Sequence, residues 1–111
     1  MDNQKKLQVL LELQQREHIH VDHYYEALEQ TGDMKYHYYD YMTTEPIHCE
    51  KELERLPEAD YDLCCALLTM LLREDHFSNG SFDERYRAGQ VQPILQRMID
   101  LLSQKEVSRG N

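Results

Sequence analysis

The run His18-Ile19-His20-Val21-Asp22-His23 is the one cluster in the chain with metal-ligand character. On a helix, His20 and His23 stand at i and i+3, so both imidazoles reach one ion from a single face. His18 or Asp22 would add a third donor, and Glu26 lies beside His23 by helical spacing. A divalent metal held by His18, His20 and His23 would make the chain a metal-binding domain or a metal-dependent enzyme. The competing reading is three surface histidines in a polar junction between helices. Zinc sites with strong signatures pair two spaced ligand couples, and no C-x-x-C occurs here.

The cysteines offer less. Cys64 and Cys65 sit in the most apolar stretch and read as small core residues. A nucleophilic cysteine needs an electropositive, partly exposed setting. Cys49 is the more accessible candidate, close in sequence to His48 and Lys51. Three cysteines, two of them adjacent, do not form an even, spaced disulfide framework, which points to reduced thiols. In Arg73-Glu74-Asp75-His76, the bases complement a helix C-terminus. No phosphate loop, nucleophile elbow or dinucleotide fingerprint is present. No residue is therefore assigned as catalytic.

The strongest signal is a co-location. The formal net charge is −9. Residues 1–21 and 63–111 each balance acids against bases, while 22–62 holds twelve acids and three bases. The same stretch holds seven of the eight tyrosines. One reading is a solvated acidic face whose tyrosines pack onto the core through their rings. The sharper one is a docking surface formed by Tyr24, Tyr25, Tyr36, Tyr38, Tyr39 and Tyr41. Tyrosine buries a large area and keeps a polar tip. Carboxylates around it favour encounter with a basic protein. On this reading the chain is a non-enzymatic protein-binding or regulatory domain, with a homodimer as one form of partnership. Direct nucleic-acid binding is disfavoured, because Lys and Arg form no stripe or tail. An inhibitor that mimics nucleic acid is a further alternative.

The elements that position these residues are helices. Residues 4–17 carry Leu7, Leu10 and Leu11 on one face. A second helix runs from about His20 to Gln30, with Val21, Tyr24, Tyr25 and Leu28 at i, i+3, i+4, i+7, and Thr31-Gly32-Asp33 stops it. The aromatic segment 34–42 is expected to be helical, with Met34, Tyr38 and Tyr41 on one face. Thr44 is expected to cap the next helix through Glu45-Pro46, with Cys49, Leu53 and Leu56 inward and a stop before Pro57. Asp60 caps a central helix, Tyr61 to about His76, that is apolar nearly all round and so belongs inside a bundle. Ser81 and Glu84 form a capping box for a short helix ending at Gly89. Phe77 and Phe82 are expected to pack across the intervening turn. Pro93 opens the last helix, with Ile94, Leu95, Met98, Leu101 and Leu102 on one face.

The expectation is an all-α bundle of five or six helices: one domain over 1–104 and a polar tail over 105–111. No apolar run approaches the ~20 residues of a membrane span, and the N-terminus is not a secretory signal. A cytoplasmic protein is expected.

The spacing Arg73, Asp75, Phe77, Gly80, then Gly89, Val91, Ile94, Leu95, Arg97 and Met98 resembles an uncharacterised bacterial family, domain of unknown function 6508. The resemblance covers about residues 60–102 and departs from the family pattern at His76 and Tyr86. It implies a bacterial, cytosolic helical domain and adds no catalytic residue. The tyrosine-rich half carries none of it.

Overall fold

The computed structural model describes the backbone of residues 1–109 and side chains through Gln104. The described residues form six α-helices and two 3₁₀ turns, with no strand. The helices are α1 (Asn3–Gln14), α2 (Val21–Thr31), α3 (Cys49–Leu53), α4 (Tyr61–Phe77), α5 (Ser81–Arg87) and α6 (Gln92–Arg109). The bundle expected from periodicity is present. The side chains of 105–109, and all of 110–111, where a polar tail was expected, lie outside the described residues.

Helix α4 is the axle. Asp60 accepts from the Leu63 amide at 2.8 Å and starts the helix, and nine consecutive residues, Cys64 to Leu72, are buried. Burial on every side follows from the neighbours: α2, α3, α5, α6 and the Tyr38–Tyr41 turn all pack on it. Helix α1 closes the bundle against α2 and α6. None of these helices is long and apolar enough to cross a membrane.

Gly32 ends α2 with φ +76°, which lets the Asp33 amide reach back to the Leu28 carbonyl at 2.9 Å. A side chain at φ of that sign is strained, so glycine belongs here. The turn aims Asp33 inward, where it accepts from Lys6 Nζ at 2.9 Å and from the Tyr61 hydroxyl at 2.7 Å. Three helices are thereby tied by one carboxylate.

Four local expectations are corrected. Segment 34–42 is not an α-helix; only Tyr38–Tyr41 turns, as a 3₁₀ element. The Lys35 amide is tied instead to Thr69 Oγ1 at 3.2 Å, and tyrosine contributes little helix propensity. Thr44 is not an N-cap. Its amide and hydroxyl donate to Glu52, so α3 starts at Cys49 behind a His48 cap, and Pro57 falls within the second 3₁₀ turn, Leu56–Glu58. The capping box at Ser81 does not form. The Asp75 carboxylate reaches across the turn and accepts from the Gly80 and Phe82 amides at 3.1 and 3.0 Å. A charged acceptor outcompetes a serine hydroxyl, and Ser81 Oγ is left buried without a partner. Finally, Phe77 does not pack on Phe82. Phe82 is buried against Tyr24, with ring centroids 5.0 Å apart, while Phe77 stays exposed.

Candidate functional site

The acidic, tyrosine-rich stretch divides into an inside and an outside. Tyr24 belongs inside. It is 1% exposed, and burial pushes its phenol well above the usual range. Its place as a contact residue on a docking surface is therefore withdrawn: α2 turns that face of the helix onto the core. Tyr41 is half-buried beneath the Lys35 ammonium, 5.9 Å from the ring centre.

The remaining four tyrosines converge. Tyr25, Tyr36, Tyr38 and Tyr39 line a groove of about 430 Å³ together with Glu29, Met34, Lys35, Thr69, Arg73 and Phe77. Three elements build it. Helix α2 supplies Tyr25 and Glu29, the stretch 34–39 that runs into the 3₁₀ turn supplies the other tyrosines, and the exposed end of α4 supplies Arg73 and Phe77. Tyr25 forms a fixed wall, because its hydroxyl donates to the Leu72 carbonyl at 2.9 Å. Burial pushes its phenol up, against the opposing charge of Arg73 nearby. Tyr39 is held edge-on by Tyr38, at 5.8 Å, and by a 2.9 Å hydrogen bond between its hydroxyl and His37 Nδ1. Among the described residues, three of the five exposed large hydrophobic side chains, Tyr36, Tyr39 and Phe77, line this groove.

The groove is not itself acidic. Lys35 is neutralised by Asp62 at 3.2 Å. Arg73 lies 5.7 Å from the Phe77 ring centre and, like Glu29, makes no ion pair with a described residue. Several acids of the stretch are structural instead: Asp33 ties helices, Asp60 caps α4, and Glu52 is fully buried. Glu52 accepts from the Thr43 and Thr44 amides at 2.9 and 2.8 Å, from both threonine hydroxyls, and from Arg55 at 2.9 Å. Burial alone would raise its pKa, but these donors hold it down at about 2.

The histidines serve α2. His20 Nδ1 accepts from the Asp22 amide at 3.1 Å, and His23 Nδ1 accepts from the His20 amide at 3.2 Å. The two rings meet edge to face at 6.2 Å, while His18 is exposed. Among the described residues no group of three or more His, Cys, Asp and Glu is placed to hold a metal. A second cavity, of about 290 Å³, includes His20, Asp75, Asp83 and Tyr86. Its carboxylates are already engaged, Asp75 by the turn amides and Asp83 by Arg87.

The thiols are not activated. Burial pushes Cys49 and Cys64 each up to about 11, and Cys65 higher still. Glu74 is held low by Arg85, which grips it through two bonds at 2.5 and 2.8 Å. That pair joins α4 to α5.

Sequence reasoning missed Arg73, Phe77, Glu29 and Met34 as parts of one surface. The available signal was the i, i+4 spacing of Arg73 and Phe77, which places both on one face of α4 where its buried run ends.

Fold and site together define a small all-α domain that carries an aromatic groove. The chain matches the family described as "Family of unknown function (DUF6508)" over residues 3–104, and it belongs to that family. The match extends well beyond residues 60–102, so the tyrosine-rich half is part of the family's extent as well. No curated protein and no solved structure matches the chain.

Proposed function

We propose that this is a non-enzymatic protein-binding or regulatory domain and that the aromatic groove is its contact surface. The carrying observation is the gathering of Tyr36, Tyr39 and Phe77, exposed by 74%, 53% and 78%, around one concavity. A small domain that leaves large apolar rings in water at a single place forgoes burial worth about 1.5–3 kcal/mol for a phenylalanine. Contiguous exposed apolar surface of this kind marks an interaction site more often than scattered single residues do. The fixed tyrosine wall suits protein contact, since tyrosine loses little conformational entropy on binding.

A photo-crosslinking benzophenone side chain in place of Tyr36 tests this reading in cells of the source. Adducts with protein, either another chain or a second copy of this one, are expected from position 36. They should be absent from the exposed position 8 on α1, which does not line the groove. No adduct from position 36, or equal yields from 36 and 8, would overturn the reading.

A further inference from the structure

The groove carries one cation and one anion that the described chain leaves unpaired. Arg73 at the end of α4 and Glu29 near the end of α2 line the same concavity, yet no ion pair joins them to each other or to another described residue. Lys35, the other charge in the lining, is already matched by Asp62 at 3.2 Å. A basic partner seated here would set a like charge against Arg73. An acidic partner would do the same to Glu29. A surface with one unmatched charge of each sign is self-complementary: under a two-fold axis, residue i meets residue j and j meets i.

We propose that the groove is the interface of a two-fold homodimer, in which Arg73 of each copy pairs with Glu29 of the other and Phe77 of each copy enters the other's tyrosine groove. The proposal rests on the reading of the groove as a protein-contact surface and names the partner as a second copy of this chain. Arginine suits this pairing, because its planar guanidinium stacks on aromatic rings while offering a carboxylate a charge-assisted, bidentate bond. The neighbouring rings supply the apolar centre that stable interfaces have. The net charge of −9 on each copy opposes self-association, so the locally balanced patch must outweigh that repulsion.

The test is a charge swap read by sedimentation equilibrium on the full chain, with far-UV circular dichroism to confirm helix content. The wild-type chain is expected to be a dimer at micromolar concentration. Arg73→Glu and Glu29→Arg should each raise the dimer dissociation constant by roughly 30-fold or more, since each change places like charges together twice across the axis. The double variant R73E/E29R should recover most of the lost affinity. Phe77→Ser, at an exposed position where folding is not at risk, should also give monomer. A monomeric wild-type chain overturns the proposal, as does a dimer indifferent to Phe77→Ser and to both single charge changes. A double variant no tighter than the single ones overturns it too. A monomer that still forms adducts with another protein from position 36 would sink the homodimer and leave the groove reading standing. Absence of any adduct would sink the groove reading itself.

Discussion

Two regions to which one acidic, aromatic stretch contributes have opposite fates. Around Glu52 the charge is answered: the carboxylate is fully buried, and five donor groups from three residues close on it. Around Tyr36 and Phe77 the large groups face water, and two charges of opposite sign stand apart. Composition treats the two regions alike, since both contribute acids and both lie close to tyrosines. The difference shows that the net charge of this stretch is not a property of one surface. Some of its acids are internal fasteners, and the surface with unsatisfied chemistry is nearly charge-balanced.

The sharpest way to break that contrast is to remove the fastener. Glu52→Ala leaves Arg55 and two threonine amides facing an empty space, and the expected loss of stability is about 3 kcal/mol. Urea unfolding would check it. A loss under about 1 kcal/mol would mean that water replaces the carboxylate at little cost, and the inside–outside distinction would fail there.

The same site carries a pH signature. The folded pKa of Glu52 lies at about 2, below its ordinary 4.5. A carboxylate with a depressed folded pKa contributes stability that is full above the unfolded pKa and is lost as pH falls through the folded one. Unfolding free energy should therefore decline from about pH 5 down to pH 2, by on the order of 3 kcal/mol from this group. Glu52→Gln, which keeps the shape and removes the titration, should flatten most of that slope. An unchanged slope would assign acid sensitivity to other carboxylates, of which Asp33 is the first to examine.

How much of this was legible in the sequence follows from range. Contacts within a few residues were readable: Asp60 as the α4 cap, Gly32 and Gly89 as helix stops, and the buried run Cys64 to Leu72 as a central helix. Tyr24 was also readable in principle. The spacing Val21, Tyr24, Tyr25, Leu28 sets it on the apolar face of α2, whereas composition alone does not separate it from the exposed tyrosines. Glu52 was not readable, because its neighbours Glu50 and Glu54 present the same local pattern, and only the fold decides which one turns inward. The capping box at Ser81 failed for a similar reason. The competing acceptor, Asp75, is six residues upstream on α4, and only the path of the chain through the turn brings it to those amides. The groove needed three elements to be placed together, and no single window of sequence contains them.

The outer region makes the smallest and most discriminating prediction. Phe77 is 78% exposed, and its contacts are the edge of His76 and the guanidinium of Arg73. Under monomeric conditions, at high dilution, Phe77→Ser should change the unfolding free energy by no more than about 0.5 kcal/mol, the range expected for surface positions away from the core. At concentrations where the chain self-associates, the same change should lower the apparent stability of the variant relative to wild type, because an interface adds to stability by mass action. Thermal unfolding at two protein concentrations tests both parts. If Phe77→Ser destabilises equally at both, its ring supports the fold of the single chain, and the division between a satisfied interior and an open groove would have to be redrawn through α4.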